Sequence, residues 1–218
     1  MFPSHDRDGY NAGAEVTTGV NNTLIGGQCG DAVTTAEGNV AVGYASLSEN
    51  TKSAQNTAVG NIALLNLNHT TTTNGYNVAV GGSAGRNMTT GVFNTIVGGL
   101  AGDALTDADH NVAVGEDALG SDTLGSKSVA IGRTALFAQN FTTATDTYNV
   151  AVGYAAGFPV TIQKVKTTHC RIVITCCNCV PCQTSDEDVL NRRGDLIPSL
   201  IPNGYVVSIC GCCEILCA

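Results

Sequence analysis

Apolar and polar positions along this chain recur in a fixed phase. Take as position zero the Asn of a string reading Asn, Val or Thr, any residue, Val or Ile, Gly. The anchors are then Asn22, Asn39, Asn56, Asn77, Asn94, Asn111, Ser128 and Asn149, and the steps between them are 17, 17, 21, 17, 17, 17 and 21. One step of 17 back from Asn22 reaches His5, where Gly9, Ala12 and Gly13 keep the phase, so the pattern occurs nine times. Offset four is Gly in all nine copies, offset three is Val or Ile in eight, offset seven is small, and offset eight is only Gly or Leu. Five positions before the later anchors stands Thr (Thr17, Thr34, Thr51, Thr72, Thr89, Thr106, Thr123), with Ala144 the exception. A short fixed period is the mark of a solenoid, in which each repeat is one coil stacked on the next. Seventeen residues are too few for a pair of helices, and the Val-rich alternation favours strand. The expected fold is all-β: a parallel β-roll or β-helix of nine 17- or 21-residue coils, about 4.8 Å apart in a rod of roughly 40 Å. It covers residues 5–160 and precedes a small Cys-rich module at 161–218.

Each column then takes a role. Val40 and Val42, at offsets one and three, share one side of a strand, and that side is expected to be the interior of the coil. Gly43 ends the strand with positive φ. The small residues at offset seven face inward from the opposite wall. The Asn and Thr columns stack along the axis and satisfy turn backbone. The longer copies place their extra residues in loops on one face, "LNHTTTTNG" from Leu67 and "QNFTTATD" from Gln139. Offset two reads Leu24, Ala41, Ala58, Ala79, Ile96, Ala113, Ala130 and Ala151. By alternation it is expected to point outward, and an exposed apolar stripe marks an interface. These eight residues are therefore the expected oligomer contact, most simply between identical copies.

Composition narrows the function classes. The chain of 218 residues is 43% apolar but only 5% aromatic, without Trp and with 26 Gly, which suits a thin core filled by Val, Ile and Ala. Residues 1–158 hold thirteen Asp and Glu against five Lys and Arg, so the repeats carry the whole excess of the −8 net charge. That argues against a nucleic-acid partner, whose phosphates need a basic surface. The first residues, "MFPSHDRDGYNAG", show no signal-peptide pattern, and no apolar run is long enough for a membrane span.

The strings "KSVAIGRTAL" (Lys127 to Leu136) and "NMTTGVFNTIVGGLAG" (Asn87 to Gly102) carry a resemblance. The first resembles the head repeat of trimeric autotransporter adhesins, the YadA-like left-handed parallel β-roll. The second is similar to repeats of phage tail-fibre and other viral or bacterial appendage proteins. The resemblance covers roughly residues 5–157. It implies three parallel rolls around one axis, with the offset-two column near that axis. The chain departs from the adhesin pattern in lacking a long coiled-coil stalk and a C-terminal membrane-barrel sequence, so self-anchoring in an outer membrane is not expected.

Several constellations are candidate sites. Tyr76, Phe93 and His110 precede three successive anchors and Tyr148 a later one. Such a ladder stacks on a sugar or ring, or else shields the turn beneath it. Asp103, Asp107, Asp109, Glu116, Asp117 and Asp122 crowd two coils, but match no calcium-loop spacing and read as a solvated face. The Thr column is too irregular in its neighbours for ice binding. Arg193-Gly194-Asp195 is an integrin-type tripeptide, and Asn21, Asn68, Asn87 and Asn140 begin sequons that matter only on a eukaryotic secretory route. The histidines His5, His69, His110 and His169 form no catalytic set with Ser or carboxylates, so no catalytic residue and no reaction are assigned. The tail holds two similar strings, a short β-branched run followed by cysteines: Cys176, Cys177, Cys179 and Cys182, then Cys210, Cys212, Cys213 and Cys217. Three readings stay open: disulfides that lock an oligomer end, a zinc site from the Cys-x-x-Cys spacings, or a tail without defined order. Apart from that zinc, no cofactor is expected.

The functional expectation is a structural and adhesive protein: part of a homotrimeric fibre, spike or appendage, extracellular or on a virion, that contacts a cell surface. The alternative is a specific carbohydrate- or host-receptor-binding tip of a virus or phage.

Overall fold

The computed structural model describes residues 6–157 and the backbone of residues 171–174. Among these residues the protein is all-β, a parallel solenoid in which each copy of the repeat is one coil. Nine short strands, from Asp6–Asp8 through Asn149–Val152, stack in chain order into one sheet. Every neighbouring pair is parallel and keeps the expected columns aligned: Leu24 pairs with Ala41, Ala41 with Ala58, and Ala79 with Ile96. The coils are numbered 1 to 9 below in that order. A tenth strand, Arg171–Ile174, continues the sheet in parallel, with Val173 beside Ala151. The sheet thus extends past residue 160, where the sequence pattern ends.

The two longer copies also add strand. Thr73–Asn74 pairs with Ser53–Ala54, and Thr145–Asp146 with Gly125–Ser126. Each Thr-rich insertion therefore returns along the coil before it.

The direction of the alternation is opposite to the expectation. Leu24, Ala41, Ala58, Ala79, Ile96, Ala113, Ala130 and Ala151 are all fully buried within the single chain, and all belong to its hydrophobic core. They line the inside of the coil and cannot form an oligomer contact. Val40 and Val42 face outward, with Val40 37% exposed. The reason is width. Offset two lies directly across a thin coil from the small residues at offset seven (Ala63, Ala84, Ala101, Ala118), which are buried as expected. Two layers of Val and Ile would not fit between these walls, so the smaller column goes inside. The inward Asn at offset zero imposes the same parity on the strand.

The interior is filled by exchange of volume between columns. Where offset two is Ala, as in Ala41, Ala58, Ala113 and Ala130, offset eight of that coil is a buried Leu: Leu47, Leu64, Leu119 and Leu136. Where offset two is large, offset eight is Gly. A Cβ on Gly30 would sit 2.8 Å from Leu24, and one on Gly102 would sit 3.3 Å from Ile96. In coils 5 and 9 both positions are small, and the Leu of the coil before fills the gap: Leu64 reaches Gly85, and Leu136 reaches Gly157. All of offset eight is left-handed, with φ 53° at Leu47 and 54° at Gly30. For Leu that conformation costs about 1–2 kcal/mol, which burying the side chain, worth about 1.5–3 kcal/mol, offsets.

Two polar ladders run along the axis. The Asn22 Oδ1 accepts from the Asn39 amide, Asn39 from Asn56, Asn56 from Asn77, Asn77 from Asn94 and Asn94 from Asn111, at 2.8–3.1 Å. Their Nδ2 groups donate to the opposite wall, Asn22 to the Ala36 carbonyl and Asn94 to the Ala108 carbonyl. Buried amides are tolerated because each is satisfied in this way. At Ser128, where the column loses its amide, Gln139 supplies one: its Oε1 accepts from Asn149 Nδ2 at 2.7 Å and its Nε2 lies 3.1 Å from Ser128 Oγ. In the second ladder the hydroxyls of Thr17, Thr34, Thr89 and Thr106 each donate to a Thr carbonyl one coil on.

The invariant glycine has two causes. Its φ is positive, 140° at Gly60, and the glycines stack in direct contact. A Cβ on Gly60 would lie 2.3 Å from the Gly81 carbonyl oxygen.

Candidate assembly face

With offset two inside, the outer face of the main sheet is built from offsets one and three. From coil 2 to coil 9 these are thirteen Val or Ile and three Thr (Thr23, Thr57, Thr95), with no charge. All are partly or well exposed. Coil 1 is different: Asp6 and Asp8 take these places, and its strand is charged and exposed. Charge on an outermost strand discourages edge-to-edge pairing. Arg7 holds the offset-two place there, and its guanidinium donates to the Gly13 carbonyl at 2.9 Å.

Two rims flank this face. The residue before each anchor sits on one side in the left-handed region, with φ between 48° and 66° from Asn21 to Tyr148. Offset five sits on the other side, where Tyr44 is 55% and Tyr154 57% exposed. Gly82 and Gly99 occupy the same column in coils 5 and 6. A Cβ on Gly82 would meet nothing within 4 Å, and one on Gly99 only the Gly82 carbonyl at 4.0 Å. This rim therefore has an open notch between exposed side chains.

The structure brings three of the four aromatic candidates together. Tyr76 and Phe93 stack with centroids 5.4 Å apart, and Phe93 and His110 are parallel at 4.9 Å. Tyr148 is separated from them by Lys127, whose Nζ lies 5.3 Å above the Tyr148 ring and 2.5 Å from Asp146. That pairing holds the Asp146 carboxyl below the ordinary carboxylate range and the Lys127 ammonium above its own. Because the rings stack on each other, the middle one presents its edges to solvent and not its faces. A sugar stacks on a ring face, so the ladder is a poorer sugar platform than its spacing suggests.

The remaining candidates are dispersed. Asp107 accepts from the Thr90 hydroxyl, Asp109 from the Val92 amide, and Glu116 from Arg133 at 2.7 Å, an exposed ion pair that raises the Arg133 pKa. Asp122 is buried and accepts from the Gly125 and Phe141 amides. Burial raises the Asp103 pKa, Arg86 opposes this and Asp117 adds to it. Among the described residues no group of three or more His, Cys, Asp or Glu is placed to hold a metal ion. His69, within the first insertion, is buried, its Nε2 donating to the Thr90 carbonyl. Cys29 is buried in the core, where desolvation raises its thiol pKa. His5, His169, Arg193-Gly194-Asp195, and Cys176, Cys177, Cys179, Cys182, Cys210, Cys212, Cys213 and Cys217 lie outside the described residues.

The outer columns are the exposed face that the alternation alone misassigned. The signal was present in the sequence: offset eight is Leu in four of the six coils whose offset two is Ala, and Gly in every coil whose offset two is larger, which places both columns in one shared volume. No protein-family model matches the chain, and no curated protein or solved structure is detectably similar to it. Among the described residues no helix is long and apolar enough to cross a membrane.

Proposed function

We propose that this chain is a structural rod that assembles with identical copies, as a homotrimer, into a fibre, spike or surface appendage outside the cell or on a virion, where it meets a cell surface. The observation that supports this is the uncharged β-branched face of coils 2 to 9. An ordinary soluble strand face alternates apolar inside with polar outside, and this one is apolar on both sides. Covering one half-exposed Val contributes on the order of 1 kcal/mol. Association costs about 4–15 kcal/mol, so copies gain only when most levels are engaged together, which favours rods aligned along their length. The YadA-like resemblance points to three copies, now with the Val columns and not the Ala column turned to the axis.

Sedimentation of the full chain, with and without reductant and chelator, tests the proposal. A trimer is expected at micromolar concentration, and Val80→Glu with Val97→Glu should convert it to monomer with an unchanged circular dichroism spectrum. A monomeric parent chain overturns the reading. A glycan array tests the competing carbohydrate-tip reading, which the stacked ring faces do not favour.

A further inference from the structure

Outside the two apolar columns, three buried places around coil 8 differ from the equivalent places four coils earlier. Asn50, Asn56 and Leu67 of the earlier site are matched by Asp122, Ser128 and Gln139. All six side chains are more than nine-tenths buried. The earlier site is filled by an apolar side chain and by amides that bond mostly to backbone: Asn50 accepts from the Ser53 amide and donates to the Ser53 carbonyl. The later site gathers a hydroxyl, a carboxylate and a side-chain amide in one volume shut off from water.

The Gln139 amide is held at both ends. Its Nε2 donates to the Asp122 carboxylate at 2.5 Å and to Ser128 Oγ at 3.1 Å. Its Oε1 accepts from Asn149 Nδ2 at 2.7 Å. The Thr147 hydroxyl donates to the Ser126 carbonyl at 2.9 Å, so in its 2.5 Å contact with Ser128 it accepts the Ser128 hydrogen. The lone pairs of Ser128 Oγ are then left to the Gln139 amide. These are the parts of an acyl transfer: a nucleophilic hydroxyl, a donor on the oxygen where charge develops, and a carboxylate at the leaving nitrogen.

We propose that Ser128 and Gln139 join in an internal ester with release of ammonia. Rotation about the Gln139 Cγ–Cδ bond turns the face of the carbonyl carbon to Ser128 Oγ. The Oγ–Cδ bond forms as the carbonyl electrons move onto Oε1, where the Asn149 donor stabilises them. The Oγ proton passes to the neighbouring Nε2, and the Asp122 carboxylate stabilises the positive charge on that nitrogen. Return of the electrons from Oε1 breaks the Cδ–Nε2 bond, and ammonia leaves. Burial of Asp122, Ser128, Gln139 and Asn149 keeps out the water that would hydrolyse the product. The ester ties the sheet wall of coil 8 to the start of the second insertion, 11 positions on, and does not depend on assembly of copies.

Mass spectrometry of the purified full chain tests this. The intact chain should weigh about 17 Da less than its sequence, the mass of the ammonia lost in forming the ester. Trypsin cuts after Lys127, Arg133 and Lys164, which puts Ser128 and Gln139 on different peptides. The two peptides should emerge joined, and hydroxylamine, which cleaves esters, should part them. Ser128→Ala should show no linked pair. Asp122→Asn copies Asn50 of the earlier site, keeps the local hydrogen bonds, and should lower the linked fraction of freshly purified protein at least tenfold. A parent chain at its full sequence mass, with the two peptides separate, overturns the proposal. A linked pair that survives Ser128→Ala overturns the choice of nucleophile, and an undiminished one in Asp122→Asn overturns the role of the carboxylate.

Discussion

Residues 22–85 and 94–157 are the same four coils built twice, and they agree inside while differing at the rims. Inside, Leu24, Ala41, Ala58 and Ala79 become Ile96, Ala113, Ala130 and Ala151, and Gly30, Leu47, Leu64 and Gly85 become Gly102, Leu119, Leu136 and Gly157. On the first rim Asn21, Gly38, Gln55 and Tyr76 become Phe93, His110, Lys127 and Tyr148. On the second, Gly27, Tyr44, Asn61 and Gly82 become Gly99, Glu116, Arg133 and Tyr154. The interior is bound by volume and by hydrogen bonds that each coil must satisfy. The rims are bound by neither: at two levels both rims change, and at the other two only one does, Asn21 becoming Phe93 opposite a retained Gly and Gly82 becoming Tyr154 opposite a retained Tyr.

The sharpest way to break this contrast is to make one substitution in both settings. Gly98→Ala places a Cβ 2.5 Å from the Gly115 carbonyl oxygen at a φ of 139°. Overpacking of that kind and a forced left-handed backbone together cost about 3 kcal/mol or more, so the rod should lose most of its thermal stability. Gly82→Ala, at the open rim, should change the melting temperature by no more than an ordinary surface substitution, about 0.5 kcal/mol. Circular dichroism melts of the two variants decide the matter, and similar losses would mean that the rim is structural after all.

The phase, the number of coils and the turn glycines were legible in the sequence because the fold imposes the same constraints again in every coil. Which side of the strand is inside was not legible from alternation. Ala41 is apolar and so are Val40 and Val42, and the usual rule that the larger apolar residue is the buried one fails in a coil this thin. The joint variation of offsets two and eight carried that information. The stacked rings could be foreseen as a column through Tyr76, Phe93 and His110. That their faces are consumed follows only from the spacing of the coils, which is close to ring-stacking distance. Nothing in the repeat phase announced that Arg171–Ile174 would add to the sheet. Arg171 pairs with Asn149 at neither step of the repeat, and the string that follows lacks the glycine that marks every other coil.

The volume exchange makes the second prediction. Leu24→Ala empties the space shared with Gly13 and Gly30 and should cost about 2–4 kcal/mol, as cavities of that size do. Adding Gly30→Leu copies the Ala41 and Leu47 solution of the next coil, and the backbone is ready for it, with φ of 54° against 53°. The double variant should recover at least half of the loss in a denaturant melt. If the two losses simply add, the columns do not share one volume, and the likeness of the two blocks needs another cause.

The smallest expected effect concerns groups that the two blocks do not share. Cys29 donates to the Ala41 carbonyl and contacts Ser46 inside the core, while Ala101 holds its place in the second block. Burial raises its thiol pKa. A raised folded value means that the buried neutral thiol contributes stability below the ordinary thiol pKa, and that this stability is lost as pH rises through the folded value. Near neutral pH the stability should therefore be flat, and the thiolate needed for alkylation scarce. Peptide-resolved alkylation should leave Cys29 unmodified in the native rod and label it fully in denaturant. Cys29→Ala, which installs the residue of the second block, should move the melting temperature very little. Rapid native labelling would show that coil 2 opens independently of its neighbours, and that a nearest-neighbour stack, not a single cooperative core, describes the rod.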